Sequence, residues 1–208
     1  FDPRDIEIPC APRREEKVAI IGSGPAGLSA AYHLARNGIQ STIFESQSEP
    51  GGMLRLGIPA HRLPRDVLDK DIQVITNLGV ELKTNTPIGP DLTVDQLLSD
   101  GYQAVYLAIG AHKGIDLGIP GEDAQGVRQG VDFLREVNLK GTAEAGKKVA
   151  IIGGGNVAVD VARSAVRLGA EEVNIVYRRS CDEMPALKEE VDGAACEGVN
   201  FLYLASPK

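Results

Sequence analysis

The sequence predicts an α/β fold built on parallel sheets, because one strand–glycine loop–helix pattern occurs in it twice. KVAIIGSGPAGLSAAYHLARNG occupies residues 17–38 and KVAIIGGGNVAVDVARSAVRLG occupies residues 148–169. The two stretches agree at 10 of 22 positions without a gap, at a constant offset of 131 residues. A short β-branched strand that leads through glycines into a helix is typical of parallel α/β sheets. A chain of 208 residues has room for two small domains of this kind.

The first repeat has the residues that a phosphate-binding turn requires. Val18 to Ile21 predicts a strand buried on both faces, and Leu28 to Asn37 predicts a helix that Gly38 ends. The loop between them is Gly22, Ser23, Gly24, Pro25, Ala26 and Gly27. Its first glycine permits the tight turn, its second leaves room for a pyrophosphate, and its third lets helix and strand pack closely. The spacing therefore predicts a Rossmann-like dinucleotide site at the helix N-terminus.

An acidic residue follows the next strand at the distance expected for ribose recognition. The strand Ser41 to Phe44 ends on Glu45, 18 residues beyond Gly27. A carboxylate at this point accepts hydrogen bonds from the two ribose hydroxyls of an adenosine. The strand, loop, helix and acid follow one another at the expected spacing. This favours dinucleotide binding over the alternative, a glycine-rich turn with a structural role only.

The second repeat has the same elements but a different ending. Val149 to Ile152 repeats the buried strand, Val159 to Leu168 repeats the helix, and a further strand is expected at Val173 to Tyr177. The second loop is Gly153, Gly154, Gly155, Asn156, Val157 and Ala158. In place of Glu45 this half presents Arg178 and Arg179, whose planar donors suit a 2′-phosphate. The two loops are thus predicted to hold different dinucleotides. The alternative is that these arginines are solvated or pair with Glu171, Glu172 or Asp182.

Several motifs in combination resemble one family. GSGPAGL, the Gly51-Gly52 pair just past Glu45, GIP followed by RLP, and the later VYLAIGA look like pyridine-nucleotide-dependent flavoproteins typified by the glutamate synthase small subunit. The large subunit of ferredoxin-dependent NADPH transhydrogenases and the FAD/NADPH half of dihydropyrimidine dehydrogenase share this pattern. The resemblance covers nearly all of the chain and implies FAD in the first domain and NADPH in the second.

The resemblance also implies flavin-contacting positions outside the glycine loops. They are Gly51, Gly52, Arg62, Ile88 and Gly110. Gly110 follows the apolar stretch Ala104 to Ile109, and a glycine there is consistent with a close backbone approach. Arg62 has the alternative of being a surface charge. The stretch from Met184 to Glu190 resembles a family segment beside the NADPH site, but its residues give no reason to assign it a cofactor role.

The domain organisation follows from the repeats and the segments around them. We expect an extended connector at 1–16, an FAD-binding domain at 17–115, a linker at 116–147 with a helix at Val131 to Val137, and an NAD(P)H-binding domain at 148–208. Neither domain is expected to be complete, since the family returns to the FAD fold after the second domain. We therefore expect a piece of a longer protein that is inactive alone.

Composition excludes several classes of function. A net charge of −7 argues against binding nucleic acid through its phosphates. No apolar run approaches the roughly 20 residues that span a bilayer, and the first residues do not form a signal peptide, so a cytoplasmic location is expected. The cysteines, Cys10, Cys181 and Cys196, are far apart and, like the three histidines, lack metal-ligand spacing.

The leading interpretation is an NADPH-linked flavoprotein oxidoreductase. Hydride would pass between nicotinamide and flavin, and electrons would go on to an iron–sulfur domain or subunit within a hetero-oligomer. The cofactors carry such chemistry, so no catalytic side chain and no metal ligand is predicted. A thioredoxin-reductase-like enzyme would need a redox-active cysteine pair. Two alternatives remain: a non-catalytic, flavin-holding segment of a larger electron-transfer complex, and an NADH-linked member of the same family.

Overall fold

The computed structural model describes residues 2 and 7–207, which form two compact units with parallel sheets. The first unit contains the described residues up to Arg55 together with Ala60–Ala111. The second contains Leu56–Pro59 and the described residues from His112 onward. The α/β class predicted from the two repeats is confirmed.

The first unit is a four-stranded parallel sheet with the order β3-β2-β1-β4. Its strands are β1 (Lys17–Ile21), β2 (Gln40–Phe44), β3 (Glu81–Lys83) and β4 (Ala104–Leu107). The helices that begin in it are α1 (Pro25–Arg36), α2 (Met53–Leu56), α3 (Arg65–Thr76) and α4 (Val94–Ser99). Since all the strands run the same way, the loops after β1, β2 and β4 meet at one edge of the sheet.

Side chains of β1 pack on both faces of this sheet, as the apolar run predicts. Ile20 lies in a cluster with Leu28 of α1 and Leu68 of α3. The alternate residues Ala19 and Ile21 lie in a second cluster, which includes Leu97 of α4. Successive side chains of a strand point to opposite faces, so one five-residue strand contributes to two cores.

The N-terminal connector is held against the end of α1. The amide of Ala11 donates to the carbonyl of Arg36 at 2.9 Å, and the amide of Arg14 donates to that of Gly38 at 2.8 Å. Gly38 has φ +77°, and a Cβ there would lie 2.1 Å from the carbonyl oxygen of Pro12. Gly38 therefore ends the helix and also leaves room for the connector. Of the predicted connector 1–16, residues 1 and 3–6 lie outside the described part.

The second unit is a three-stranded parallel sheet with the order β5-β6-β7. Its strands are β5 (Lys148–Ile152), β6 (Glu172–Tyr177) and β7 (Asn200–Tyr203). Its helices are α5 (Gly130–Lys140), α6 (Asn156–Arg167) and α7 (Lys188–Cys196), and a single 3-10 turn spans Cys181–Glu183. Val159 of α6 is fully buried in a core with Ile151 of β5 and Ile175 of β6.

The prediction that β5 repeats a fully buried strand is wrong. Ile151 is 8% exposed, whereas the next residue, Ile152, is 42% exposed. Only the side chains that point toward α6 are buried, so this strand alternates between buried and exposed residues.

Helix boundaries differ from the predicted ones at their ends. α1 begins at Pro25 because proline suits the first helical turn, where its missing N–H costs nothing. α5 is longer than the predicted Val131 to Val137 and ends where Gly141 adopts φ 72°. No described helix combines the length and hydrophobicity that a bilayer-spanning segment requires.

Candidate cofactor-binding sites

Two glycines of the first loop are required by the packing of the loop itself. Gly22 has φ +104°, and a Cβ there would lie 2.4 Å from the carbonyl oxygen of Ala108. A Cβ on Gly27 would lie 1.9 Å from the carbonyl oxygen of Gly22. Neither position has room for a side chain. The turn predicted at Gly22 and the close helix packing predicted at Gly27 are therefore present.

Gly24 is different, because the space beside it is open. It precedes α1 as the N-cap residue, with extended backbone angles of φ −70° and ψ −178°. The nearest atom to a Cβ placed there is the Cα of Gly52, at 3.9 Å. Among the described residues, no side chain caps the N-terminus of this helix. The backbone N–H groups of its first turn are thus available to an anion, and a pyrophosphate suits this position.

Ser23 connects the loop to two distant segments. Its side chain is fully buried, and both its N–H (3.0 Å) and its hydroxyl donate to Oε2 of Glu45. The amide of Gly51 in turn lies 3.1 Å from the Ser23 hydroxyl oxygen and 3.2 Å from the Ser23 carbonyl oxygen. The acid after β2 and the Gly51-Gly52 pair are therefore both bound to the glycine loop.

Glu45 is buried, and the protein itself surrounds its carboxylate with donors. It is 5% exposed, and its Oε1 accepts from the amide of Gln47 at 2.8 Å and the hydroxyl of Ser46 at 3.2 Å. Burial raises the pKa of Glu45, but hydrogen bonds from Ser23, Gln47 and Ser46 outweigh this effect and lower the pKa below its ordinary value. The carboxylate therefore holds the loop in place. Its contact with ribose remains a prediction.

The Gly51-Gly52 pair forms a turn that packs on the loop. Gly51 and Gly52 have φ values of +123° and +52°, which residues with a side chain rarely adopt. A Cβ on Gly52 would lie only 2.6 Å from the Cα of Gly24. Two segments that are distant in the sequence thus form one continuous backbone surface around Gly24.

The other implied flavin positions lie in the same unit. Gly110, with φ +67°, directly follows the Ala108 and Ile109 backbone that Gly22 approaches. Arg62 is half-buried in the turn before α3, and Ile88 packs beside the cluster of Phe44 and Leu97. The roles of these residues toward a cofactor remain predictions.

The second loop has the same open helix N-terminus. Gly153 has φ +135°, and its amide donates to the carbonyl of Val176 at 3.0 Å. Gly155 is the N-cap of α6, and no described atom lies within 4 Å of a Cβ placed on it. No described side chain caps this helix either. Ala158 is buried in the third glycine position, so the loop accepts a methyl group there. An anion suits this terminus as well.

The residue of the second unit that matches Glu45 is Tyr177, the last residue of β6, so the prediction that arginines stand in place of Glu45 is wrong by one position. Ile21 pairs with Phe44, so Glu45 is the next residue along its strand. Ile152 pairs with Val176, so Tyr177 is the next residue in the second sheet. Arg178 and Arg179 follow it. Tyr177 also packs on the second loop, since a Cβ on Gly154 would lie 2.6 Å from its ring.

Arg178 and Arg179 are exposed at the edge of the sheet where the second loop lies. Among the described residues, neither forms a salt bridge, although Arg179 is close enough to Glu183 to help lower the pKa of that carboxyl. Two acids that the sequence offered as partners are bound to lysines instead: Glu171 to Lys147 at 2.7 Å and Glu172 to Lys148 at 2.8 Å. Both guanidinium groups are thus available to an anionic ligand.

The segment before α7, which the family resemblance put beside the NADPH site, is hydrogen-bonded to the second loop. The amide of Leu187 donates to Oδ1 of Asn156 at 2.9 Å, and the amide of Ala186 donates to the carbonyl of Gly154 at 3.1 Å. The hydroxyl of Tyr177 donates to the carbonyl of Glu183 at 2.8 Å. This segment therefore shapes the second loop, and the side chain of Asn156 takes part in that packing.

Comparison with known proteins identifies the family. The family model for pyridine nucleotide-disulphide oxidoreductases matches residues 16–200. The chain belongs to this family.

Among relatives in the pyridine nucleotide-disulphide oxidoreductase family, the NADP(+)-dependent formate dehydrogenase subunit beta of Moorella thermoacetica is 53% identical over 195 residues, 92% of this chain and 27% of the relative. The glutamate synthase (NADPH) small chain of Escherichia coli (strain K12) is 41% identical over 203 residues, 92% of this chain and 43% of the relative. A solved structure of Mycobacterium tuberculosis FprA in complex with NADPH has a TM-score of 0.75 and 27% identity, and the match covers 89% of this chain and 48% of that chain. The chain spans less than half the length of each.

The cysteines of this member of the pyridine nucleotide-disulphide oxidoreductase family are free thiols. Cys10, Cys181 and Cys196 are all exposed. Burial raises the pKa of Tyr203 to about 12, and a hydrogen bond with the Cys181 side chain contributes. Within the described part of the chain, no cluster of His, Cys, Asp and Glu side chains is arranged to hold a metal ion.

Proposed function

We propose that this chain is the FAD- and NADPH-binding part of a flavoprotein oxidoreductase subunit. FAD is assigned to the first unit, within the predicted domain 17–115, and NADPH to the second, within 148–208. One observation carries the proposal. Each unit has a glycine loop that ends in a helix N-terminus without a side-chain cap among the described residues. An acid follows the second strand of the first unit, and arginines follow the second strand of the second unit.

In the first unit, each group has a distinct part in holding FAD. The backbone N–H groups after Gly24 bind the pyrophosphate. Four donors already occupy the roughly four lone-pair sites of the Glu45 carboxylate, at the end of β2. Glu45 therefore accepts a hydrogen bond from a ribose hydroxyl in place of one of its present donors. The backbone of Gly51 and Gly52 closes the site beside Gly24.

In the second unit, the open backbone at Gly155 binds the pyrophosphate of the coenzyme. Arg178 and Arg179 donate charge-assisted hydrogen bonds to the 2′-phosphate. A carboxylate at their position would repel that phosphate, so this unit favours NADPH over NADH. The names of the formate dehydrogenase and glutamate synthase relatives, which specify NADP(+) and NADPH, support this assignment.

The protein binds and orients its cofactors, and bound FAD and NADPH supply the hydride-transfer chemistry. We further propose an iron–sulfur domain or subunit as the electron partner. The relatives are named as a subunit and a small chain, which supports a role within a larger complex.

Anaerobic addition of NADPH to the complete protein, with oxidised FAD bound, tests the proposal. The flavin absorbance should bleach with NADPH at concentrations where NADH has little effect. Flavin that stays oxidised with either coenzyme would contradict the oxidoreductase assignment and favour a flavin-holding role. Equal bleaching by NADH and NADPH would contradict the arginine assignment alone.

A further inference from the structure

The turn at Gly51 and Gly52 is followed by a buried arginine. Arg55 lies in α2 and is 5% exposed. Its Nε donates to the carbonyl of Pro50 at 2.6 Å, its Nη1 lies 3.0 Å from a carboxylate oxygen of Glu49, and its Nη2 pairs with the carboxylate of Asp69. One guanidinium group thus joins the residues just before the turn to α3.

Helix α2 is too short to hold this arrangement without other contacts. It has four residues, and helices of that length are not stable by themselves. Arg65 supports it from α3, because its Nη1 donates to the carbonyl of Leu54 at 3.1 Å. Both carboxylate partners of Arg55 are largely exposed, whereas the guanidinium is buried. The arginine therefore fixes the chain here, and the acids compensate its charge.

The turn itself packs directly on Arg55. A Cβ on Gly51 would lie 3.3 Å from the Cβ of Arg55 and 3.1 Å from a methyl group of Leu68. The Gly51 amide faces Ser23 in the glycine loop. Gly51 is consequently held between the glycine loop on one side and Arg55 with Leu68 on the other.

We propose that Arg55 is a positioning residue for the flavin site. Consecutive glycines have more conformational freedom than other residues, and ordering them on binding would reduce the affinity for a ligand. By binding the Pro50 carbonyl, Arg55 holds Gly51 and Gly52 beside Gly24 before FAD arrives. This inference rests on the proposed assignment of FAD to the first unit.

Three substitutions in the complete protein test the inference. Arg55→Met keeps the apolar stem and removes all the donors. Arg55→Lys keeps the charge but cannot bind the Pro50 carbonyl and both carboxylates together. Asp69→Asn weakens one contact at an exposed residue. Arg163→Met is the matched control, because Arg163 in the second unit also pairs with two acids, Glu190 and Glu197.

The measurements are the dissociation constant of FAD, from quenching of its fluorescence by apoprotein, and the melting midpoint of the same apoprotein. Arg55→Met should weaken FAD binding about 10- to 100-fold, with smaller losses for Arg55→Lys and Asp69→Asn in that order. Arg163→Met should lower the melting midpoint but leave the FAD dissociation constant within about twofold. A purely structural Arg55 would behave like Arg163.

FAD affinity within twofold of the wild type in the Arg55 and Asp69 variants would overturn the inference. If Arg55→Met does not fold, the other two variants decide by the same criterion. Gly24→Val separates this failure from failure of the proposed function. If the wild type binds FAD and Gly24→Val does not, the assignment of FAD to the first unit stands. Unchanged FAD affinity in the Arg55 variants would then overturn only the role of Arg55. Absence of FAD binding by the wild type would overturn both.

Discussion

The carboxylate of Glu45 accepts hydrogen bonds from both the backbone N–H and the hydroxyl of Ser23. This relationship joins the end of β2 to the glycine loop after β1. The same hydroxyl lies within hydrogen-bonding distance of the Gly51 amide, so one small side chain organises three segments of the candidate flavin site.

Replacing Ser23 by alanine should destabilise the first unit and weaken FAD binding. Two hydrogen bonds of a fully buried hydroxyl would be lost, at a cost of about 1–3 kcal/mol in the free energy of unfolding. Denaturant unfolding and the FAD dissociation constant measure the two effects. Ser41→Ala is the control, because the buried hydroxyl of Ser41 has no hydrogen-bond partner among the described residues. Equal effects of the two substitutions would contradict the role given to Ser23.

Acidification should remove the contribution of Glu45 to stability. Its pKa is lower in the folded protein than the ordinary value of 4.5, so the ionised form is stabilised by folding. That contribution is complete above about pH 4.5 and is lost as the pH falls through the folded pKa. The melting midpoint of Glu45→Gln should therefore lie below that of the wild type at pH 7, and the difference should shrink toward pH 3. A difference that stays constant from pH 7 to pH 3 for Glu45→Gln would contradict the prediction.

Gly24→Val should abolish FAD retention without unfolding the protein. Valine readily adopts the extended angles of Gly24, and its Cβ would have only an ordinary contact with Gly52. Its methyl groups would fill the space that the pyrophosphate needs. The ratio of flavin to protein after gel filtration measures retention. Gly155→Val, the equivalent change in the second unit, should keep FAD and lose reduction by NADPH. Stoichiometric FAD on purified Gly24→Val would refute the assignment.

Replacing Arg178 and Arg179 by alanine should lower the preference for NADPH. Each charge-assisted contact with the 2′-phosphate contributes about 1.5–3 kcal/mol, or roughly 10- to 100-fold in affinity. The KM for NADPH should rise strongly, while the KM for NADH stays nearly unchanged. Replacing Lys147 and Lys148 by alanine is the control, because it removes two exposed cations at the N-terminal end of β5, at the opposite edge of the sheet from the arginines. Equal losses with both coenzymes would assign the arginines to a shared phosphate or to the fold.

The sequence by itself determined the α/β class and the two glycine loops with the helices that follow them. These features depend on contacts between residues close in the chain. β-branched runs favour strands, glycines permit the turn after Ile21, and Pro25 suits the first turn of a helix. The exposed face of β5 could not be predicted in the same way, because the run Val149 to Ile152 is as apolar as Val18 to Ile21 and only the surrounding elements decide which face is covered.

Only the tertiary structure decided which polar groups meet. Ser23 and Gly51 are 28 residues apart, and nothing in their local sequences indicates that they form a hydrogen bond. The register of β5 with β6 places Tyr177, and not an arginine, at the position of Glu45, because one more residue separates the paired positions in the second half than in the first. Arg55 in its local sequence resembles any surface arginine, and it is buried because α3 brings Asp69 to it. Such contacts depend on the free energy of the whole packed unit, so no short stretch of sequence specifies them.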